Sequence, residues 1–332
     1  MPKSGRLLFL LAAFFALTTI VEPAPPPPRA ARVEGRLTAE PVALDPGDPA
    51  RGRVGALIYR RGWVLRSDAP RFGGLSAMHV ENGAVTAISD VGDVLRFRLP
   101  GTGDTGRVAI TALPVPYGSP LRKRNRDTEA VAVAGGEAWV SFERNNLIAR
   151  YRRSDWRLEA FQRPEAMRRW GGNSGAEAMV RLPDGRFILF AEGGGTASRV
   201  LLYAGDPAMA GTRSVEARYR RPTGYRPTDA ALLPDSRLMI LNRRVDWPVR
   251  LSAKLVIADL PAWRAGAVIE GREVATLEAP LTVDNMEALS VARENGRTIV
   301  RIASDDNFMR VQRTLLLEFE LLPERAPQLR RQ

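Results

Sequence analysis

Beyond residue 50 the apolar positions of this chain fall in short runs of four to eight residues, rich in Val, Ile, Leu and aromatics and broken by Gly, Pro, Asn and Asp. Runs of that length bounded by turn residues predict strands joined by tight turns. AVTAISD, EAWVSFE, RFILFAE, RLMILNR and TIVRIASD resemble one another, and turns such as Glu81-Asn82-Gly83, Gly135-Gly136, Pro183-Asp184-Gly185 and Pro234-Asp235-Ser236 precede them. Each reads as the second strand of a repeated hairpin.

The five hairpins begin at Gly74, Glu129, Glu177, Asp229 and Glu287, spaced by 55, 48, 52 and 58 residues. A period near 50 residues with several strands per copy predicts an all-β fold, a β-propeller. A third strand follows each hairpin (VLRFRL, LIARYR, RVLLYA, KLVIADL, LLLEFEL), and four copies have a fourth (RVAITALPV, RLEAFQ, SVEARYR, EVATLEA). The last copy has none. Residues 53–67, RVGALIYRRGWVLRS, form a strand pattern without a hairpin of their own. They complete a fifth blade by joining the two chain ends, or residues 33–67 form most of a sixth. The expectation is six blades, with five as the alternative and N- and C-terminal strands closing the ring. RPEAMRRWGGNSG, residues 163–175, predicts a short helix and loop inserted between blades two and three.

The N-terminus changes this picture of a purely globular chain. Lys3 and Arg6 precede a 15-residue apolar run, Leu7 to Val21, which has the character of a secretory segment and is shorter than the roughly 20 residues of a membrane-spanning helix. The expected organisation is a signal peptide or N-terminal membrane anchor over 1–22, a proline-rich linker over 23–32, the propeller over 33–322 and a basic tail over 323–332. The linker's prolines favour an extended spacer. Both readings of the leader put the body outside the cytoplasm, periplasmic or secreted, and the second attaches it to the inner membrane through residues 7–21.

The chain has no cysteine, which removes disulfides, thiolate metal sites and cysteine nucleophiles. It has one histidine, His79, inside a first strand, where a structural role is expected. The net charge is +12, and of the basic residues only Lys3, Lys123 and Lys254 are lysines. Arginine scattered along the whole chain suits anionic surroundings or ligands. No basic stretch is interleaved with aromatics, so nucleic acid is not expected as a partner; a small anionic substrate and a monomeric state are. GTGDTG, residues 101–106, precedes a strand where a dinucleotide fold needs a helix, and reads as a turn.

Carboxylates recur at fixed places in the repeat. The first residues of the hairpins are Gly74, Glu129, Glu177, Asp229 and Glu287, and the residues at the ends of the second strands are Asp90, Glu143, Glu192, Arg243 and Asp305. In an antiparallel hairpin these two columns lie side by side, so both are expected at one mouth of the central channel. Two like charges about 4 Å apart repel by about 4 kcal/mol at an effective dielectric of 20, so cations, arginines or protons must oppose such a ring. Oxygen ligands without cysteine favour calcium, with magnesium possible. The first choices for a site are Glu129, Glu177, Glu287 and Asp305. Repeated carboxylates also serve structurally, accepting from backbone amides or pairing with arginine, and that reading stays beside the first. RKRNRDTEA places Arg122, Lys123, Arg124 and Arg126 directly before Glu129, and arginine suits bidentate phosphate recognition.

RSDAPRFGGLSAM, AVTAISDVG, DTEAVAV, PTDAALLPDSRLMILNRR and NMEALSVARENGRTIVRIASDDNF with QRTLLLEFEL together resemble the phytase-like family described as "esterase-like activity of phytase", from about residue 50 to 322. The resemblance implies a secreted or periplasmic bacterial protein with phosphoesterase or phosphodiesterase activity. It implies site roles for Glu129, Glu177, Asp229, Glu287, Asp305 and Asp306. All six are the metal choices of this reading, Glu129, Glu287 and Asp305 its catalytic choices, and Arg124, Arg126 and Arg243, from the residues themselves, its substrate-binding choices. Gly74 and Arg243 break the symmetry of the acidic columns. The function expected is metal-assisted hydrolysis of a phosphate ester by an extracytoplasmic phytase-like esterase; the alternative is a non-catalytic envelope propeller that binds or scaffolds.

Overall fold

The computed structural model describes residues 32–101, 105–168, 170, 175–193, 195–248 and 250–323. The leader over 7–21, most of the proline-rich linker and most of the basic tail lie outside the described residues. Among these residues the regular structure is strand throughout, apart from the 3-10 turns Lys123–Asn125 and Glu165–Met167.

The hairpin repeat folds as the hydrophobic pattern predicts. Blade 1 is Leu75–Glu81, Ala84–Ser89, Asp93–Arg98 and Thr105–Ala112; blade 2 is Thr128–Ala134, Glu137–Phe142, Leu147–Arg152 and Arg157–Gln162. Blade 3 is Ala176–Arg181, Phe187–Ala191, Ser198–Tyr203 and Ser214–Tyr219, with Val268–Ile269 added in parallel at its outer edge. Blade 4 is Arg226–Leu232, Leu238–Asp246, Arg250–Ala258 and Gly271–Leu277. All four are antiparallel meanders. The tight hairpin turns are met by Asn82-Gly83 and Asn295-Gly296, whose positive φ angles (50° and 73°, 49° and 78°) such two-residue turns require.

Blade 5 is assembled from both ends of the chain. Met286–Glu294, Arg297–Ser304 and Thr314–Leu321 supply three strands, and the N-terminal strand Leu57–Ser67 pairs antiparallel with Thr314–Leu321 as the fourth. The first described strand, Val33–Pro41, pairs with Leu57–Ser67 on one side and Thr105–Ala112 on the other, so it ties the outer edge of blade 5 to that of blade 1. The five inner strands neighbour one another around a closed ring. The expected six blades are therefore corrected to five among the described residues. Residues 33–67 close the ring because their apolar faces find partners on existing blades and have no hairpin with which to build another sheet.

The core lies between blades, one cluster per interface. Met179, Phe187 and Leu189 of blade 3 pack on Trp139 and Ile148 of blade 2, and Leu75, Met78 and Val80 of blade 1 pack on Ala288, Ala303 and Leu316 of blade 5. Each sheet is thus apolar on both faces, which explains why the strand runs read as continuous instead of alternating. Side chains also stitch neighbours together: the Thr128 hydroxyl donates to the Ser89 carbonyl at 2.5 Å, and the Ser141 hydroxyl to the Ala176 carbonyl at 2.7 Å.

Candidate functional site

Every inner strand begins with a register shift, between Leu75 and Ala77, Thr128 and Val131, Ala176 and Ala178, Pro227 and Asp229, and Met286 and Ala288. A bulge sets two residues against one on the partner strand and re-aims the extra side chain. The bulged positions are Ser76, Glu129, Glu177, Thr228 and Glu287. Glu129, Glu177 and Glu287 therefore share one column as expected, whereas Gly74 and Asp229 lie outside it. The second column keeps its register: the N–H groups of Asp90, Glu143 and Asp305 donate to the carbonyls of Gly74, Asp127 and Asn285 at 2.9, 2.8 and 2.9 Å, and Arg243 lies opposite Arg226. Gly74 has a φ of +65°, and a Cβ there would lie 2.5 Å from the Phe308 ring and 2.7 Å from Asp90 Oδ1. No carboxylate fits at that place.

The two columns meet at one mouth of the channel. Asp127, Glu129 and Glu143, all of blade 2 or its entry, offer carboxylate oxygens within 4.8 Å of one another. Opposite them stands Arg243, which donates to Oε1 of Glu287 and to Oδ1 of Asn285 and lies 3.7 Å from Glu192 Oε1. Glu192 also receives Arg226 at 3.0 Å, and Lys123 reaches Asp90 at 2.8 Å. Of the described carboxylates at the mouth, Glu177 and Asp90 each have a buried oxygen, Oε1 and Oδ1, with no hydrogen-bond partner. In a site packed with acceptors and short of donors, an orphaned carboxylate oxygen calls for a proton or a cation.

The electrostatics agree with that need. Burial, then Glu177, Asp127 and Glu143, push Glu129 well above the usual carboxylate range. Burial, then Glu143, Glu192 and Glu287, do the same to Glu177, with Arg243 opposing. Glu143 is raised to about 7 by burial and by Asp127, against the pull of Arg144. Glu287 is raised to about 7 by burial, opposed by Arg243 and reinforced by Glu192. Asp305 is held well above its range by burial and then by Asp90 and Glu287.

Other expected site residues are engaged elsewhere. Asp229 sits one position past the bulge, where its two oxygens accept from the N–H groups of Ala230 at 2.8 Å and Leu289 at 2.7 Å, tying blade 4 to blade 5. Asp306 accepts from the N–H of Gly74 at 2.9 Å, the N–H of Phe308 at 3.1 Å and the Thr314 hydroxyl at 2.7 Å. Asp305 is at the mouth, with one oxygen accepting from the Asn307 N–H at 2.6 Å. Arg126 is buried and donates to the Val91 carbonyl at 2.9 Å, with Asp93 as its leading charge neighbour. Arg124 is exposed in the entry turn. His79 is part-buried; burial and then Arg153 hold its pKa down.

Sequence reasoning passes over Asp127, because it precedes the strand and no other copy has an acid there. Its spacing to Glu129, two residues along an extended segment, is the available signal. Arg144 donates to Asp127 Oδ2 at 2.9 Å and braces it.

Comparison with known proteins adds the following. The model of the family described as "Phytase-like: Esterase-like activity of phytase" matches residues 70–308. No curated protein matches the chain. Similar solved structures include a glutaminyl cyclase from Myxococcus xanthus, at 10% identity over 89% of this chain and 100% of that one, with a TM-score of 0.43. A Myceliophteria thermophila Cps50 (Swd1) β-propeller domain matches at 10% identity over 79% and 77%, with a TM-score of 0.36. A Bacteroides caccae protein of unknown function matches at 11% identity over 69% and 66%, with a TM-score of 0.31.

Proposed function

We propose that this chain, which belongs to the phytase-like family, is an extracytoplasmic esterase that hydrolyses a phosphate ester at the acidic mouth of its propeller. The observation that carries the reading is the donor set: three carboxylates of blade 2 within 4.8 Å, beside a buried and unpartnered Glu177 Oε1. All-oxygen donors of this kind fit a hard divalent cation, calcium or magnesium, and Asp127, Glu129 and Glu143 would hold it. Such an ion supplies Lewis-acid polarisation of a phosphoryl oxygen and a more acidic water.

The remaining roles belong to the chain's own groups. Arg243 presents a guanidinium to the phosphoryl oxygens, already oriented by Glu287 and Asn285. Glu177 offers its free oxygen to the attacking water. Glu287, with a pKa of about 7, is half ionised at neutrality, which suits a group that takes a proton from water and returns one to the departing alkoxide. The water oxygen bonds to phosphorus, the P–O ester bond breaks, and phosphate and alcohol leave. Export of the chain by its N-terminal segment belongs to the same proposal. Among the described residues no helix is long and apolar enough to cross a membrane.

Asp229 and Asp306 favour a second reading for part of the acidic set, since their oxygens are taken by bonds to the protein. In its extreme form that reading makes the protein a non-catalytic envelope module. Assay of 4-nitrophenyl phosphate and bis-4-nitrophenyl phosphate with millimolar calcium, magnesium or manganese, and after chelation, separates the two. Metal-dependent turnover, lost in Glu129→Gln and Glu143→Gln while the circular dichroism is unchanged, supports the esterase. A folded protein inert to both esters with every ion supports the binding module.

A further inference from the structure

Exposed apolar side chains gather on one face of the ring. In each blade the inner strand leaves the mouth and the second strand returns to it. The turns between second and third strands therefore lie on the mouth face, and the connections into the inner strands end there. Of the nine large apolar side chains that are exposed among the described residues, six stand on that face: Tyr117 and Leu121 on the connection into blade 2, Val245 and Trp247 at the tip of the blade 4 hairpin, Phe308 and Val311 on the blade 5 turn. Trp247 is 67% exposed and Val311 82%. Phe161 and Val268 lie on outer strands, which leaves Met209 for the opposite face. Blade 4 also pushes its pair outward. Beyond Arg243 its second and third strands stay paired through Arg244 with Ser252, Val245 with Leu251 and Asp246 with Arg250, and at about 3.4 Å per residue this lifts the tip about 10 Å above Arg243.

The charges beside these side chains have one sign. On the three segments that carry them, among the described residues, the exposed charged groups are Arg122, Lys123, Arg124, Arg250 and Arg310, whereas Asp246 is half-buried and paired with Arg244 at 2.6 Å. Asp68, Glu165 and Glu278 are exposed acids of this face, but they stand on connections that carry none of the six. The carboxylates of the mouth are buried or half-buried below. Single exposed apolar groups are ordinary; a rim of them set among arginines marks an interaction surface. Tryptophan and aliphatic side chains enter the headgroup boundary of a bilayer, while neighbouring basic groups meet lipid phosphates.

The path of the chain points the same way. Thr105–Ala112 runs toward the mouth, with Ala112 opposite Asp93, and Val33 pairs with Ile110 near that end. The chain therefore enters its first described strand on the mouth side. Residues 22–31 separate this entry from the apolar run Leu7 to Val21, and a segment of that length spans at most about 40 Å. A bilayer holding the run would lie within that reach of the mouth face.

We propose that the mouth face docks on an anionic phospholipid surface. Val245, Trp247 and Val311 enter the headgroup layer, and Arg250, Arg310 and the group Arg122, Lys123 and Arg124 meet lipid phosphates. Docking of this kind stands apart from the esterase reading, which concerns the carboxylates beneath.

Quenching of tryptophan fluorescence by acyl-chain-brominated lipid tests this in the full chain at low salt. Trp63, Trp139, Trp156 and Trp170 are buried, Trp263 is on the opposite face with Arg186 over its ring at 4.1 Å, and residues 1–31 contain no tryptophan. Quenching therefore reports Trp247 whatever the leader does. The probe is vesicles of brominated phosphatidylcholine, alone or mixed equally with phosphatidylglycerol. The expected result is quenching on the mixed vesicles, at least about fivefold weaker on phosphatidylcholine alone, and lost in Trp247→Phe. The double variant Val245→Ser, Val311→Ser keeps Trp247, changes exposed positions, and is expected to lose most of the quenching with its circular dichroism unchanged. No quenching in the wild type, equal quenching on the two vesicles, or equal quenching in the valine double variant would overturn the proposal. So would a lipid-free dimer, seen by light scattering, that Trp247→Ser splits, since the rim then serves a second copy of the chain. Ester hydrolysis without quenching removes the docking alone, and quenching without hydrolysis leaves it standing while the esterase reading falls.

Discussion

Glu287 makes the charge load of the mouth measurable. Its folded pKa of about 7 lies above the usual carboxylate value of 4.5. A carboxyl whose pKa is raised on folding binds its proton more tightly in the folded state. The protonated form therefore contributes stability that is fully present below pH 4.5 and is lost as pH rises through 7. At about 1.36 kcal/mol per pH unit, a shift of this size corresponds to about 3 kcal/mol for one buried group. Glu287→Gln removes the titration while keeping the oxygen that accepts from Arg243 and from Asn285 Nδ2, the latter at 3.1 Å. In metal-free protein the wild-type melting temperature is expected to fall between pH 5 and pH 8. The variant should fall less, by about 6 °C over the same interval at about 2 °C per kcal/mol for a chain of this length. Differential scanning fluorimetry at four pH values in chelator is sufficient. Parallel pH profiles for the two proteins, or a wild-type midpoint that rises with pH, would refute the assignment of a raised pKa to this residue.

Further outcomes follow from other contacts. Asp229→Ala leaves the buried N–H groups of Ala230 and Leu289 unpaired and is expected to cost about 3 kcal/mol in urea unfolding. Arg301 is buried and donates to Glu318 and Glu294 at 2.8 Å, so Arg301→Leu takes from buried Glu318 one of its two arginine partners, leaving Arg61 at 2.8 Å, and is expected to destabilise by about 2 kcal/mol. A chain beginning at residue 70 lacks the strand that closes blade 5; its thermal transition is expected to broaden or vanish, seen by calorimetry. Millimolar calcium at about 100 times its dissociation constant is expected to stabilise the wild type by about 2.7 kcal/mol and to leave the Glu129→Gln midpoint unmoved.

The repeated hairpin is visible in the chain because everything that makes it is local. Short apolar runs and turn pairs such as Asn82-Gly83 and Asn295-Gly296 act within about fifteen residues, and they specify strand, turn and strand wherever they occur. The end of the second strand is equally local, which is why Asp90, Glu143, Glu192, Arg243 and Asp305 occupy equivalent places. Glu129, Glu177 and Glu287 share the alanine that follows each of them, as Ser76 does too. Thr228 instead precedes Asp229, so the acidic residue of that copy is displaced by one, and a displacement of one turns a side chain to the other face of a strand.

What the amino-acid order determined by itself was an all-β repeat with carboxylates recurring at one rim. The tertiary structure decided the rest. The leftover strand pattern at 53–67 offered closure by the chain ends, but that it completes a fifth blade instead of starting a sixth is decided by Leu57–Ser67 finding Thr314–Leu321 across most of the chain length. Asp127 joins Glu129 and Glu143, while Asp229 and Asp306 turn to backbone amides, because bulges and blade packing set where each carboxylate points. Residue type and spacing fix which charges exist, but their neighbours are chosen by contacts between blades, and those neighbours decide whether a carboxylate is left for a ligand.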